Sequence, residues 1–221
     1  MKLNQKQKLQ ILKNVAIELP IEILHFIVVP ISLLACDEKS ENLPKWAAWF
    51  DENDYGINGD DGWKNEHFPN GKNKTYWARL CWLYRNRIGN FSAKYLGVKV
   101  EDIDASSVES VGDTLAAENK GRKSTQCLVT CRLKDGRERF GYYREIRYGK
   151  SKWYCRIYLG WKLMDICGMD EENKSTYLEA DDKKVLKSVW CVNPFKRVGR
   201  VSPSIKNLVA IVAVYRRPYF L

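Results

Sequence analysis

The chain has 221 residues and a net charge of +10, with 45% apolar and 29% charged residues. That balance excludes a globally disordered chain and leaves room for one domain with a core plus an appended segment. The 8 Trp, 12 Tyr and 7 Phe supply rings for a packed core or a contact surface. The basic excess favours anionic surfaces, either lipid headgroups or nucleic acid.

The first feature along the chain is apolar. Residues 15–36 read VAIELPIEILHFIVVPISLLAC, preceded by Lys2, Lys6, Lys8 and Lys13. The stretch is about the ~20 residues that a bilayer span requires. Glu18, Glu22 and His25 lie in its first half, and Pro20 and Pro30 interrupt it. Charges at mid-bilayer cost roughly 2.5–3.5 kcal/mol each, so the span is imperfect. Its apolar side is too wide for a one-sided amphipathic helix, which favours lipid over a buried core helix. A lipoprotein acylated at Cys36 is a further alternative. A cleaved signal peptide fits less well, because no small-residue cleavage site stands out. The expected lipid contacts are Ile23, Phe26, Val29, Ile31 and Leu34, with Trp46 and Trp49 at headgroup level. The lysine excess before the segment keeps the N-terminus inside the cell. The seven cysteines, odd in number and without a C-x-x-C, read as small buried residues and point to a reducing compartment. For a crossing helix these two arguments conflict, and the side taken by the globular part stays open. A helix lying in the interface satisfies both.

Residues 37–74 read as an irregular acidic connector rich in Asp, Asn and Gly. Such clusters form turns, and no register of Asp51 or Asp54 fits the calcium-loop template. Taken together, several runs resemble a family of uncharacterised proteins of tailed bacteriophages and prophages. They are Leu43-Pro44-x-Trp46-x-x-Trp49-Phe50, Gly56-Ile57-Asn58-Gly59-Asp60, Cys81-Trp82-Leu83-Tyr84-Arg85-Asn86 with Asn90-Phe91-Ser92, Gly160-Trp161-Lys162 and Asn193-Pro194-Phe195-Lys196. The resemblance covers about residues 15–197. It implies an accessory protein with an N-terminal membrane-like segment, acting in an infected bacterium, and it supplies no activity.

Trp77, Leu80, Cys81 and Tyr84 have helical spacing. From residue 124 the period becomes two. Cys127, Val129, Cys131 and Leu133 alternate with polar residues, and Lys134-Asp135-Gly136-Arg137 is a hairpin signal. Further strands are expected at 140–146, 153–163, 185–192 and 207–216. The fold class is therefore α+β: an N-terminal apolar helix, then a mainly antiparallel sheet domain with one or two helices. The expected division is 1–36, 37–74 and 75–221. Val129, Trp153, Ile157 and Trp161 are assigned to the buried face of the sheet. Tyr143, Arg147, Tyr154, Arg156, Tyr158 and Lys162 are assigned to the other face, where rings among bases suit a polyanion. A plain solvated face with cross-strand pairs, neutralised by acidic blocks such as 165–182, is the favoured alternative.

No phosphate loop, dinucleotide fingerprint or nucleophile elbow is present, and His25 and His67 are the only histidines. No catalytic residue, metal or cofactor is expected. The function expected is that of an accessory protein of the host cell membrane, acting by binding. The bilayer is its first partner, with a host envelope protein as another. The alternatives are a basic nucleic-acid-binding module and, third, an enzyme of unrecognised type.

Overall fold

The computed structural model describes residues 2–53, 55–166 and 185–198. The strand expected at 207–216 lies outside them. The fold is α+β, with a long N-terminal apolar helix, several short helices and a five-stranded antiparallel sheet. The helices are α1 (Gln5–Leu33), α2 (Asp61–His67), α3 (Tyr76–Arg85) and α4 (Gly89–Phe91), which runs into a π turn at Ser92–Leu96. The strands are β1 (Val98–Lys99), β2 (Glu109–Gly112), β3 (Thr125–Arg132), β4 (Glu138–Arg147), β5 (Trp153–Trp161), β6 (Val185–Leu186) and β7 (Ser188–Arg197).

The chain forms two compact units, residues 12–97 and residues 1–11 with 98–221. These boundaries differ from the division at 36 and 74. The acidic connector has a core of its own: Leu43, Ala47, Phe50, Ile57 and Trp63 are buried with Leu83 of α3. Its turns close around Arg79, which is 3% exposed. The Arg79 guanidinium donates to the Asp37 and Ser40 carbonyls at 2.8 and 2.9 Å and to Asn58 Oδ1 at 2.9 Å. Arg79 is thus the inward hub of α3, while Trp77 and Cys81, two of the four residues whose spacing marks the helix, are exposed. Helical spacing alone does not say which stripe meets the core, and a buried guanidinium holding three loop acceptors overrides the apolar count.

In the other unit the sheet runs β2-β3-β4-β5-β7, every pair antiparallel. A second, two-stranded sheet pairs β1 with β6. The register places Val129 opposite Gly141, Tyr143 opposite both Cys127 and Tyr158, and Ile157 opposite Arg144. Side chains alternate along a strand, so Val129 shares the face of Tyr143 and Tyr158, and Ile157 lies on the other. Of the four residues expected to be buried together, Val129 and Trp161 are in the core, Ile157 is half-buried and Trp153 is 38% exposed. The tyrosine face is covered. The loop after residue 116 and the turn Leu163–Ile166 close over the tyrosine face, with Gly121 N donating to Glu145 and Met164 N to the Tyr158 hydroxyl. Gly160 has φ +97, and an added Cβ would strike the Phe140 carbonyl, so this ladder position takes only glycine.

Candidate functional site

The two sides of α1 are inverted relative to an ordinary surface helix. Asn14, Glu18, His25 and Ser32 face inward with Val29 and Leu33, and all six are buried. Every exposed residue from Ala16 to Ile31 is apolar: Ala16, Ile17, Leu19, Pro20, Ile23, Leu24, Phe26, Ile27 and Ile31. Ile23 and Ile27 are each 59% exposed. This is one helix long and apolar enough to span a membrane, near the N-terminus.

What holds the inward side is a ladder of polar contacts from residues 76–92, which run antiparallel to α1. The Ser92 hydroxyl donates to Glu18 Oε1 at 2.6 Å, and Arg87 Nε donates to Glu22 Oε2 at 3.4 Å. The Tyr84 hydroxyl donates to the Phe26 carbonyl at 3.1 Å, and the Tyr76 hydroxyl to the Pro30 carbonyl at 3.3 Å. Pro30 explains one of these contacts. It has no N–H, so the carbonyl four residues earlier, that of Phe26, loses its helical donor. Tyr84 replaces it. The sequence carried this signal, because a proline inside a helix needs an outside donor for one carbonyl, but it did not say which residue answers. Tyr84→Phe should cost about 1 kcal/mol in the denaturant midpoint analysis. With Pro30→Ala restoring the N–H, the same change should be nearly neutral, a difference that a double-mutant cycle reads directly.

His25 sits among Phe26, Phe50 and Tyr84, with ring centroids 5.8 to 6.1 Å away. Burial, with the Arg87 charge second, pushes its pKa down to about 4, so the inward face carries a neutral imidazole at physiological pH. Asp51 is 1% exposed. Its carboxylate accepts from Leu43 N and Glu52 N, both at 2.8 Å. Burial still pushes its pKa up to about 6, with the Glu52 charge adding to the rise. A pKa raised in the folded state means that the native chain binds more protons than the unfolded one between the two values. Asp51 therefore contributes stability in full below its ordinary value near 4, and loses it as pH rises through about 6. The stability of the native protein minus that of Asp51→Asn should fall as pH goes from 4 to 6 and then level off. Urea titrations at each pH measure it.

The residues expected to contact lipid divide. Ile23, Phe26, Ile31 and Leu34 are exposed, as are Trp46 and Trp49. Val29 is 0% exposed and packs inward, a correction: it falls four residues after His25, on the helix side that meets residues 76–92.

The residues assigned to the polyanion face are brought together, but two of the six lie beneath other segments of the same unit. Tyr143 and Tyr154 are each 4% exposed, which corrects their assignment as open stacking platforms. The reason is Glu145, 1% exposed on the same face. It accepts from the Tyr143 hydroxyl at 2.8 Å, Asn119 Nδ2 at 2.6 Å and Gly121 N at 2.7 Å. Burial and the Glu145 charge push Tyr154 up to about 12. Arg156 stands across from Glu145 in register. Arg147 donates to the Gly121 and Gly149 carbonyls at 2.8 and 3.1 Å. Arg147, Arg156, Tyr158 and Lys162 are half-buried. The same unit has a cavity of about 460 Å³ lined by Lys6, Arg132, Arg139, Asp104, Glu109 and Glu138 among others. Its charges are mixed, and Lys6 pairs with Glu138 across it. Among the described residues no group of three or more His, Cys, Asp or Glu is placed to hold a metal ion.

No curated protein and no solved structure matches the chain. Residues 8–200 match a family described as a family of unknown function, DUF7338, and the match takes in both compact units. The chain belongs to that family.

Proposed function

We propose that this chain is a membrane-attached accessory protein that acts by binding, and that the outward face of α1 is its contact with lipid. One observation carries the reading: from Ala16 to Ile31 every exposed residue of α1 is apolar, while its polar residues are turned inward. A helix packed on a water-soluble protein does the reverse, because exposed apolar area costs about 25 cal/mol per Å². Lipid removes that cost. Exposed Trp46 and Trp49 in the same unit suit the headgroup level. The resemblance to proteins of tailed phages and prophages supplies the setting, the membrane of an infected bacterium, with a host envelope protein as a further partner. Nucleic-acid binding has less support, since two of the three tyrosines it would use lie under the loop after residue 116.

The test is flotation of the purified full chain with vesicles of phosphatidylethanolamine and phosphatidylglycerol in high salt, with a carbonate wash of membranes from expressing cells alongside. The chain is expected to float and to stay in the pellet. Full-length protein that remains soluble and monomeric without detergent overturns the reading.

A further inference from the structure

A lipid-contacting helix either crosses the bilayer or lies along one leaflet. Resting on the reading of the outward face as lipid contact, we infer that α1 does not cross: it lies in a single leaflet, and the residues before it and the sheet that follows it stay on the same side of the membrane. Three independent observations lead there.

The first concerns the start of the helix. Lys6 Nζ makes an ion pair with Glu138 Oε2 at 2.7 Å, and Gln10 Nε2 donates to the Glu138 carbonyl at 3.3 Å. Leu3 and Ile11 pack against the core of the sheet unit. These residues precede the apolar run, whereas Glu138 comes long after it. A crossing helix would put them on opposite sides of a hydrocarbon layer about 30 Å thick.

The second is the polar ladder. The contacts from Glu18 to Pro30 bind one side of α1 to residues 76–92 along most of its apolar length. If α1 crossed, that segment would sit at bilayer depth beside it. It carries Arg79, Arg85, Arg87, Asn86 and Asn90, and arginines at such depth are strongly disfavoured. With α1 flat in the interface, the ladder stays on the aqueous side of the helix.

The third is the shape of the apolar surface. A crossing helix exposed to lipid is apolar all round, and an interfacial helix is apolar on one side. The exposed apolar side of α1 is one-sided, and Lys13 continues its row through Ile17, Pro20, Leu24, Ile27 and Ile31 at spacings of three and four. From there its ammonium reaches headgroup phosphates while the stem follows the apolar surface. The ligand is thus one leaflet, acyl chains under the face and phosphates at the Lys13 end.

Labelling decides it. Lys2→Cys and Asp135→Cys, both at exposed positions, are made separately in the full chain. A membrane-impermeant maleimide is applied to spheroplasts and to inverted vesicles, and modification is read at each site by peptide mass, so that native thiols do not interfere. Both positions are expected to react from the same side, in protein that remains with the membrane after a high-salt wash. Reaction from opposite sides overturns the single-leaflet arrangement and leaves lipid attachment standing. Protein absent from the membrane fraction overturns both.

Discussion

Replacing Ile23 and Ile27 together by Asp is expected to release the chain from membranes without unfolding it. Each side chain is 59% exposed, so neither contributes much to packing within its own unit. In lipid each contributes roughly 1.5 kcal/mol through burial of its apolar surface. Losing both is worth about 3 kcal/mol, a drop in vesicle affinity of about a hundred-fold, before the further penalty of bringing a carboxylate to the interface. Vesicle co-sedimentation across a lipid titration measures the affinity, and thermal unfolding of the free protein controls for folding. Unchanged affinity would mean that the outward face of α1 is not the lipid contact.

Glu145→Ala is expected to give the largest loss of stability. The carboxylate is fully enclosed and takes donors from Asn119, the Gly121 backbone and Tyr143. Its removal strands all of them in a site water does not reach. A buried donor without an acceptor costs about 1–3 kcal/mol, so three of them imply a loss of at least ~3 kcal/mol. At roughly 2–4 °C per kcal/mol for a chain of this size, calorimetry should show the melting temperature falling by about 6–12 °C. Tyr143→Phe removes only one donor and leaves the carboxylate its other partners, so its cost should stay near 1–2 kcal/mol. A Glu145→Ala effect no larger than that of Tyr143→Phe would mean that the carboxylate does not organise this face.

Local pattern was enough for the elements. Alternation from Cys127 to Leu133 and from Trp153 to Trp161 marks strands because successive side chains leave opposite faces, and the Asp135-Gly136 turn joins two of them. The apolar run to Leu33 marks a long helix, since nothing else in a chain pairs its backbone so completely over that length. The class, α+β with an antiparallel sheet, follows from those two periods alone. What alternation does not contain is which face a loop will cover. Tyr143, Arg147, Tyr154 and Arg156 read as an open basic patch because the sequence distance from Asn119 and Gly121 to Glu145 hides their meeting.

The same holds for the site. That α1 is long and apolar enough to span a membrane was legible in its composition, and Ile23, Phe26, Ile31 and Leu34, named from it, are exposed. The inward role of Val29 was not, because hydropathy ranks it with its neighbours and only the partner surface separates them. The sequence by itself determined the helix, the strands, the basic excess and the apolar length. Only the tertiary structure decided that Asn14, Glu18, His25 and Ser32 share the protected side of that helix, that Tyr84 answers the carbonyl freed by Pro30, and that Glu138 holds Lys6 at the helix start. The physical reason is that these are pairings between groups far apart along the chain, and a polar residue in an apolar run costs or stabilises according to a partner the local sequence does not name.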